Sequence, residues 1–369
     1  MKRKALVARN VAVISQLPPP VHGSTVMTAT LLDSLKEHEH DIQFVNKKFS
    51  RSIEEVGGFS LRKLLLVVGL AKDVQKACAR KPNVIILFAT TRRGSFLVDT
   101  LLHEIIRHHR IPTILYIHTV GFSELAKAGM IWRLLVKRMF AKAARVVCLS
   151  EKLTADVESF ARSNAVAVIE NCLSDRHDGS ADEPITGRKS ITFISNLIPS
   201  KGALDFVHVA AGWESASNFS FEIVGADADR AYKAALEAKI SQIHEQTVVL
   251  HGAVFGEEKQ LILRRSKILV FPSTYKLEAQ PLTLIEALRN GIPVVAYDTG
   301  GVADIIENGR EGFVVCQGDR HALRLAVEKL ANDDVLWEEM SRASREKFAA
   351  RFSRQAFDDS WKELVNEFS

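Results

Sequence analysis

Short apolar runs alternate with stretches of helical composition along the whole chain. Val11–Ser15, Val84–Ala89 and Val294–Tyr297 have the length and the apolar, often β-branched content of buried strands. Each run is followed by a segment that favours a helix. Strands that alternate with helices build parallel sheets, because the helix carries the chain back across the sheet. The pattern therefore predicts an α/β fold with parallel sheets.

The length and one polar segment predict two domains. A chain of 369 residues is too long for one typical domain. Residues 173–190 are polar and rich in turn-forming residues, which is typical of a linker. We therefore expect an N-terminal domain over residues 1–172 and a C-terminal domain over residues 191–345.

Two carboxylates stand out in the segment 275–301. Glu278 and Glu286 are separated by seven residues, and Pro281 lies between them where a helix can begin. The first N–H groups of that helix would offer a phosphate site between two acceptors for sugar or ribose hydroxyls. Together these groups suit a nucleotide-sugar. The alternative is a solvated loop Glu278 and an exposed Glu286, which is the usual situation of charged residues.

The residues around these carboxylates resemble a family signature. Glu278-Ala279-Gln280-Pro281-Leu282, three residues and Glu286-Ala287 are similar to the Glu-Gly-Phe-Gly-Leu, three residues, Glu-Ala pattern of family-4 glycosyltransferases. These are retaining enzymes of the GT-B fold. The resemblance implies two Rossmann-like domains that face a central cleft. It also implies a C-terminal helix, here residues 346–369, that crosses back to the first domain.

A lysine follows the first strand of the second half. Lys201-Gly202 comes after the strand Ile191–Ile194, where an ammonium suits a diphosphate, although a lone lysine is usually solvated. The family has Gly-Arg, four residues and Lys-Gly here. Lys201 and Gly202 match, and Asn196 replaces the arginine. Residues 248–254, which end at Val254, resemble the family segment that holds the nucleobase with backbone groups.

Two positions in the first half lie where ligands of α/β folds bind. Gly23 and Ser24 follow Pro18-Pro19-Pro20 at the start of a predicted helix, and Gly23 either lets backbone approach a phosphate or only forms a turn. His118 follows the strand 113–117, where it is either structural or catalytic. The resemblance matches Gly23 to the second glycine of a Gly-Gly pair, and His118 to the histidine after the fourth strand.

The resemblance also implies residue roles. Glu278 contacts the transferred sugar, Glu286 the ribose hydroxyls, and His118 lies beside the reacting sugar. The predicted catalytic residues are His118, Lys201 and Glu278. The predicted substrate-binding residues are Gly23, Ser24, Asn196, Gly202, Val254, Ala279, Gln280, Pro281, Leu282, Thr283 and Glu286.

The predicted function is a retaining glycosyltransferase of the hexosyltransferase type. It moves a sugar from a nucleoside-diphosphate sugar to a saccharide or lipid-linked acceptor in surface polysaccharide or glycolipid assembly. No metal and no cofactor are expected, because Lys201 and the helix near Pro281 can stabilise the departing diphosphate. Asn196 motivates one alternative, a non-catalytic GT-B protein that binds a nucleotide-sugar or a partner. A sugar-nucleotide epimerase is the other, although the proline-rich loop favours transfer.

The charge is divided unevenly along the chain. Residues 1–165 hold 26 Lys and Arg against 13 Asp and Glu, a net charge of +13, and the remainder has a net charge of −8. The first half therefore faces something anionic. No nucleic-acid motif is present, so an anionic membrane surface or a phosphate-bearing acceptor is the better candidate. The basic stretch 124–145 is a membrane-surface helix or an ordinary helix packed on the sheet, and the second is favoured.

The expected location is the cytoplasm, with peripheral association at the inner face of the membrane. The apolar run 64–70 is far shorter than the roughly 20 residues that span a bilayer. The four cysteines are widely scattered, which fits a reducing compartment and no disulfide framework.

Overall fold

The chain divides into two compact units. The computed structural model describes residues 9–47, 61–173, 187–213, 219–227, 229–243 and 247–368. Unit 1 comprises Met1–Asn171 and Arg354–Ser369, and unit 2 comprises Cys172–Ser353. Over the described residues, each unit contains one six-stranded sheet in which every neighbouring pair is parallel. The predicted fold class is therefore confirmed.

The sheet of unit 1 has the strand order β2-β1-β3-β4-β5-β6. Its strands are β1 (Asn10–Ser15), β2 (Asp41–Asn46), β3 (Val84–Ala89), β4 (Thr113–Ile117), β5 (Arg145–Cys148) and β6 (Val166–Val168). Its helices are α1 (Gly23–Glu37), α2 (Leu61–Ala79), α3 (Arg93–His108), α4 (Phe122–Lys127), α5 (Met130–Lys142) and α6 (Glu151–Thr154). β3 and β4 are buried along their whole length, as unbroken apolar runs with helices on both faces require.

The sheet of unit 2 has the strand order β12-β11-β10-β7-β8-β9. Its strands are β7 (Ser190–Ile194), β8 (Ser220–Val224), β9 (Thr247–Gly252), β10 (Ser266–Phe271), β11 (Val294–Tyr297) and β12 (Gly312–Val315). Its helices are α7 (Ala203–Ala211), α8 (Arg230–Ile240), α9 (Gly256–Arg265), α10 (Leu282–Arg289), α11 (Val302–Ile305), α12 (Arg320–Asn332) and α13 (Asp334–Lys347). The central β10 pairs with β7 on one side and β11 on the other, which brings the loops after these strands to one edge.

The last helix, α14 (Arg354–Asn366), belongs to unit 1. Trp361 is fully buried, and its ring lies edge-on against Tyr116 of β4 with 4.9 Å between the centroids. Arg354 donates to Asp358 at 2.7 Å and to Glu37 of α1 at 3.2 Å. The predicted return of the C-terminal helix to the first domain is thus confirmed.

The return begins later than the predicted residue 346. Phe352 is fully buried in an apolar cluster of unit 2 that includes Phe271 and Ile285. This packing keeps the chain in unit 2 through the π-helical turn Phe348–Phe352. The predicted linker overlaps β7 at Ser190, and its residues 174–186 lie outside the described residues.

The basic stretch 124–145 does not form one helix. α4 ends at Lys127 and α5 begins at Met130, with Gly129 between them at a φ of +150°. An L-residue with a side chain rarely adopts that backbone conformation, so the glycine permits the break. Val136, Met139 and Phe140 of α5 are buried against the core of unit 1, as expected of an ordinary helix of an α/β fold.

Candidate functional site

The loops that follow β7 and β10 contain most of the predicted site residues. The loop after β7 leads into a 3-10 helix, Pro199–Lys201, and the loop after β10 contains Glu278. Thr274 N donates to Ser200 O at 2.8 Å, which ties the two loops together. Parallel strands place these loops at the carboxyl edge of the sheet, where ligands of open α/β folds bind.

Lys201 and Glu278 form an ion pair at this edge. The Lys201 Nζ lies 2.5 Å from Glu278 Oε2, and the Ser273 hydroxyl donates to the same oxygen at 3.0 Å. The Lys201 ammonium also lies 4.7 Å from the ring centroid of Tyr275. Glu278 Oε1 has no partner among the described residues. The carboxylate is therefore fixed through one oxygen, and the other can accept a ligand hydroxyl.

Gly202 allows the close approach of the two loops. Its φ is +83°, and a Cβ at this position would lie 2.1 Å from the carbonyl oxygen of Pro272. Both the backbone conformation and the space exclude a side chain. Asn196, five residues earlier than Lys201, is exposed just beyond the end of β7.

Helix α10 starts one residue after Pro281, which is its N-cap with a φ of −65°. Leu284 N donates to Pro281 O at 3.1 Å, whereas the N–H groups of Leu282 and Thr283 precede the first intrahelical hydrogen bonds, at the positive end of the helix dipole. Leu282 and Thr283 are partly exposed at this end. Ala279, Gln280 and Pro281 are buried, so they shape the loop more than they offer side chains to a ligand.

Glu286 pairs with a lysine that the sequence analysis missed. Lys259 Nζ of α9 lies 2.5 Å from Glu286 Oε2, and both side chains are largely buried. The two residues are 27 positions apart and meet because α9 and α10 flank β10. Lys259 therefore adds a cation beside the carboxylate expected to bind ribose.

Val254 packs its side chain into the apolar core. It is buried in the cluster that contains Ile194, Val224 and Phe271. Only its backbone is therefore available to a ligand, as the resemblance implies for the segment that ends here.

His118 follows β4 and packs among aromatic rings of unit 1. It stacks on Phe88 with 5.0 Å between centroids and an interplanar angle of 6°, and it meets Tyr116 edge-on at 4.2 Å. Its Nε2 is buried and has no hydrogen-bond partner among the described residues. Burial, with a smaller contribution from His22, lowers the pKa of His118 to about 3. The imidazole is therefore neutral at physiological pH.

Gly23 is the first residue of α1, directly after the exposed N-cap His22. The Ser24 hydroxyl lies 3.1 Å from His22 Nδ1. Thr25 Oγ1 donates to Pro20 O at 2.9 Å, which fixes the proline-rich loop against the helix. Gly23 and Ser24 thus lie at the helix N-terminus that the sequence predicts.

A buried ion pair that the sequence analysis missed also lies at the carboxyl edge of unit 1. Lys47 Nζ lies 2.6 Å from Asp99 Oδ1 and donates to Phe88 O at 2.7 Å. The other oxygen, Asp99 Oδ2, accepts from the backbone N–H of Thr90 at 2.9 Å. The pair fixes the loop after β3, because a buried charge requires such partners.

The described residues contain neither a cluster of metal-binding side chains nor a membrane-spanning helix. No group of three or more His, Cys, Asp or Glu side chains in the described part of the chain is placed to hold a metal ion. None of the helices seen over the described ranges is both long and apolar enough to cross a bilayer.

Comparison with known proteins gives a family match and related sequences. Residues 176–347 match the family described as Glycosyl transferases group 1. The chain is 26% identical to poly(ribitol-phosphate) alpha-N-acetylglucosaminyltransferase of Staphylococcus aureus over 182 residues. These residues make up 48% of this chain and 35% of that protein. It is 23% identical over 253 residues to O-antigen chain mannosyltransferase C of Escherichia coli, 66% of each chain. The first curated relatives are matched over well under two thirds of their length.

Solved structures share the fold of the chain. Sucrose-phosphate synthase from Thermosynechococcus elongatus has a TM-score of 0.75 and 16% identity, over 97% of this chain and 99% of that one. Anabaena HepE in complex with UDP and glucose has a TM-score of 0.73 and 16% identity, over 97% and 100%. At this identity the likeness shows the fold alone.

Proposed function

We propose that the chain, whose residues 176–347 match the family described as Glycosyl transferases group 1, transfers a sugar from a nucleoside-diphosphate sugar. The acceptor is a saccharide or a lipid-linked saccharide of a surface polysaccharide or glycolipid. Relatives that act on such polymers support this assignment, among them the Escherichia coli O-antigen mannosyltransferase. The carrying observation is the Lys201–Glu278 pair beside the N-terminus of α10.

We propose that unit 2 binds the donor. Lys201 and the first N–H groups of α10 stabilise the diphosphate, which takes the electron pair of the bond to the anomeric carbon as it leaves. Glu278 Oε1 accepts a hydrogen bond from a hydroxyl of the sugar. Glu286 accepts hydrogen bonds from the ribose hydroxyls. The acceptor oxygen forms the new bond to the anomeric carbon, and its proton passes to the departing diphosphate, which has gained the electron pair.

We propose that unit 1 binds the acceptor and that His118 acts as a neutral hydrogen-bonding group. The low pKa that burial gives His118 supports a neutral imidazole at physiological pH. We also propose that transfer retains the anomeric configuration. It needs no metal, because Lys201 and the N-terminus of α10 supply the positive charge that a metal otherwise provides.

A panel of nucleoside-diphosphate sugars tests this function in two steps. The correct donor at about 100 times its dissociation constant stabilises the protein by about 2.7 kcal/mol, which a thermal-shift assay detects. Release of nucleoside diphosphate is then followed with candidate acceptors, with and without EDTA, and the anomeric configuration of the product is read by NMR. Binding without release would favour the non-catalytic alternative. A changed donor sugar without acceptor would favour an epimerase.

A further inference from the structure

Helix α5 exposes an apolar turn to solvent. Met130 is 86% exposed, Ile131 74% and Leu134 64%. The side of the helix that packs on the core uses other residues, namely Val136, Met139 and Phe140. Single exposed apolar side chains are common on protein surfaces, but three within five residues form a patch that calls for a partner.

Helix α3 borders this turn. The Arg93 guanidinium lies 5.5 Å from the ring centroid of Trp132 on α5. Further along both helices, Arg138 donates to Glu104 at 2.7 and 2.9 Å. Arg93 and Glu104 lie on the same side of α3, and this side therefore contacts α5 at two points.

Two further apolar residues lie on that side of α3 between the contacts. Leu97 is four residues after Arg93, Leu101 is four residues after Leu97, and both are nearly half exposed. They therefore extend the apolar surface of α5. We define the α3–α5 face as the set Leu97, Leu101, Met130, Ile131 and Leu134.

Cations flank this apolar surface. Arg133 and Lys137 are exposed on α5, and neither has an ion-pair partner within the described ranges. An exposed apolar stripe with lysine and arginine beside it is typical of helices that lie in a membrane interface. A second copy of the chain is a poorer occupant, because residues 1–165 carry a net charge of +13 and like surfaces repel.

The topology places the face at a defined edge of unit 1. α5 carries the chain back from the carboxyl end of β4 to the start of β5. Its first turn, with Met130 and Ile131, therefore lies at the carboxyl edge of the sheet. His118 and Gly23 lie at the same edge.

We propose that the α3–α5 face docks on an anionic lipid bilayer. Met130, Ile131 and Leu134 enter the boundary between headgroups and acyl chains. Arg133 and Lys137 contact the lipid phosphates. This docking is independent of the proposed transferase activity, and it goes beyond the expectation of a basic stretch at 124–145 by assigning the apolar residues that insert.

Co-sedimentation tests the proposal with vesicles of phosphatidylcholine alone and of phosphatidylcholine mixed with phosphatidylglycerol. The full chain binds the anionic vesicles, and binding weakens as salt shortens the screening length to about 8 Å or less. Met130→Ser/Ile131→Ser/Leu134→Ser and Arg133→Gln/Lys137→Gln each lower the partition coefficient at least about tenfold. Circular dichroism confirms that both variants remain folded.

Matched variants in unit 2 control for general loss of apolar surface and charge. Leu325→Ser/Val335→Ser removes two exposed apolar side chains, and Arg230→Gln/Arg342→Gln removes two exposed cations. Both controls bind like the unaltered chain. A fluorophore attached to Leu134→Cys, in a Cys316→Ser background that removes the exposed cysteine, shifts to the blue on anionic vesicles. The same label at Val335→Cys does not shift.

Three results would overturn the proposal. The first is equal binding to both kinds of vesicle or no binding to either. The second is an equal loss of binding in the unit 2 controls. The third is a dimer of the unaltered chain in sedimentation velocity that the triple serine variant abolishes, because the face would then join two copies. Vesicle binding without any sugar transfer would support docking while contradicting the proposed activity.

Discussion

Lys201 and Glu278 hold each other in place before any substrate arrives. Each side chain is mostly buried. Removing one charge therefore destabilises the fold, because the other charge stays buried without its partner. Lys201→Met, which keeps an unbranched apolar side chain, should lower the free energy of unfolding of unit 2 by about 2 kcal/mol. It should also reduce turnover at least about tenfold, because the diphosphate loses a preorganised cation.

The double variant Lys201→Met/Glu278→Gln separates the two effects. Because both charges are removed, at least about half of the lost stability should return. Turnover should stay low. Chemical denaturation and release of nucleoside diphosphate are the two measurements. Recovered turnover would mean that the diphosphate is held elsewhere. The control is Lys233→Met, which removes a partly exposed lysine from its ion pair with Asp227.

Lys259 is expected to affect donor binding more than the chemical step. Its ammonium fixes Glu286, the carboxylate assigned to the ribose. Lys259→Met should therefore raise the KM for the donor about fivefold and change kcat less than about twofold, as loss of uniform binding does. Steady-state kinetics with the donor varied gives both constants. A fall confined to kcat would instead place Lys259 at the reacting sugar.

The pH behaviour of His118 follows from its burial. With a pKa of about 3 in the folded chain, the imidazole stays neutral from pH 5 to 8. His118→Asn should thus lower kcat/KM by the same factor across that range. In the unfolded chain the group takes up a proton near pH 6.5, so His118 should contribute about 2 kcal/mol to the fall in the free energy of unfolding from pH 7 to 5. The variant should lack that contribution and keep the one from His103, whose pKa burial lowers to about 4. A ratio of activities that changes steeply near pH 6.5 would contradict the neutral histidine.

The sequence predicts those site residues that lie close together along the chain. Glu278, Pro281 and Glu286 lie in one continuous segment, and the start of α10 is set by a proline. Lys259 was missed because it reaches Glu286 from another helix, and no local pattern distinguishes it from a solvated lysine. The same holds for the pairing of Lys47 with Asp99, which depends on the sheet order.

At the scale of elements, the break between α4 and α5 decides where the apolar turn of α5 begins. Composition predicts one helix over 124–145, since glycine inside a helical pattern is often tolerated. The structure ends α4 before Gly129 because that residue has a φ of +150°. A sequence pattern indicates which residues favour a helix, but not the backbone conformation that packing requires at one glycine.

Gly129→Ala should therefore destabilise unit 1. Forcing a side chain into this conformation costs about 1–3 kcal/mol. Gly69 offers a matched control, since it lies within α2 and a Cβ there meets nothing within 4 Å. Gly69→Ala should stabilise by about 0.5–1 kcal/mol. Thermal unfolding measures both changes, and the same sign for the two would contradict this account of the break.

At the scale of the whole molecule, α14 completes unit 1 from the far end of the chain. Trp361 fills the space against Tyr116, and its removal leaves a large cavity. Trp361→Ala should cost about 3–5 kcal/mol. Trp361→Phe should cost much less, because the indole N–H has no hydrogen-bond partner among the described residues.

Hydrogen exchange shows where the loss occurs. Faster exchange is expected in β4 and α1, which lie in the same unit as α14. Exchange in β10 should be unchanged. Equal acceleration in β10 would mean that α14 stabilises both units alike.

The discontinuous first unit has a consequence for synthesis on the ribosome. Its first 171 residues emerge early, but α14 follows only after Cys172–Ser353 has been made. At a synthesis rate of about 5–20 residues per second, that interval lasts roughly 10–40 s. During this time the surface that receives Trp361 is uncovered in the nascent chain. Unit 2 is one continuous segment and can finish folding before α14 is made. We therefore expect unit 2 to complete its fold before unit 1, although unit 1 is the first to be synthesised.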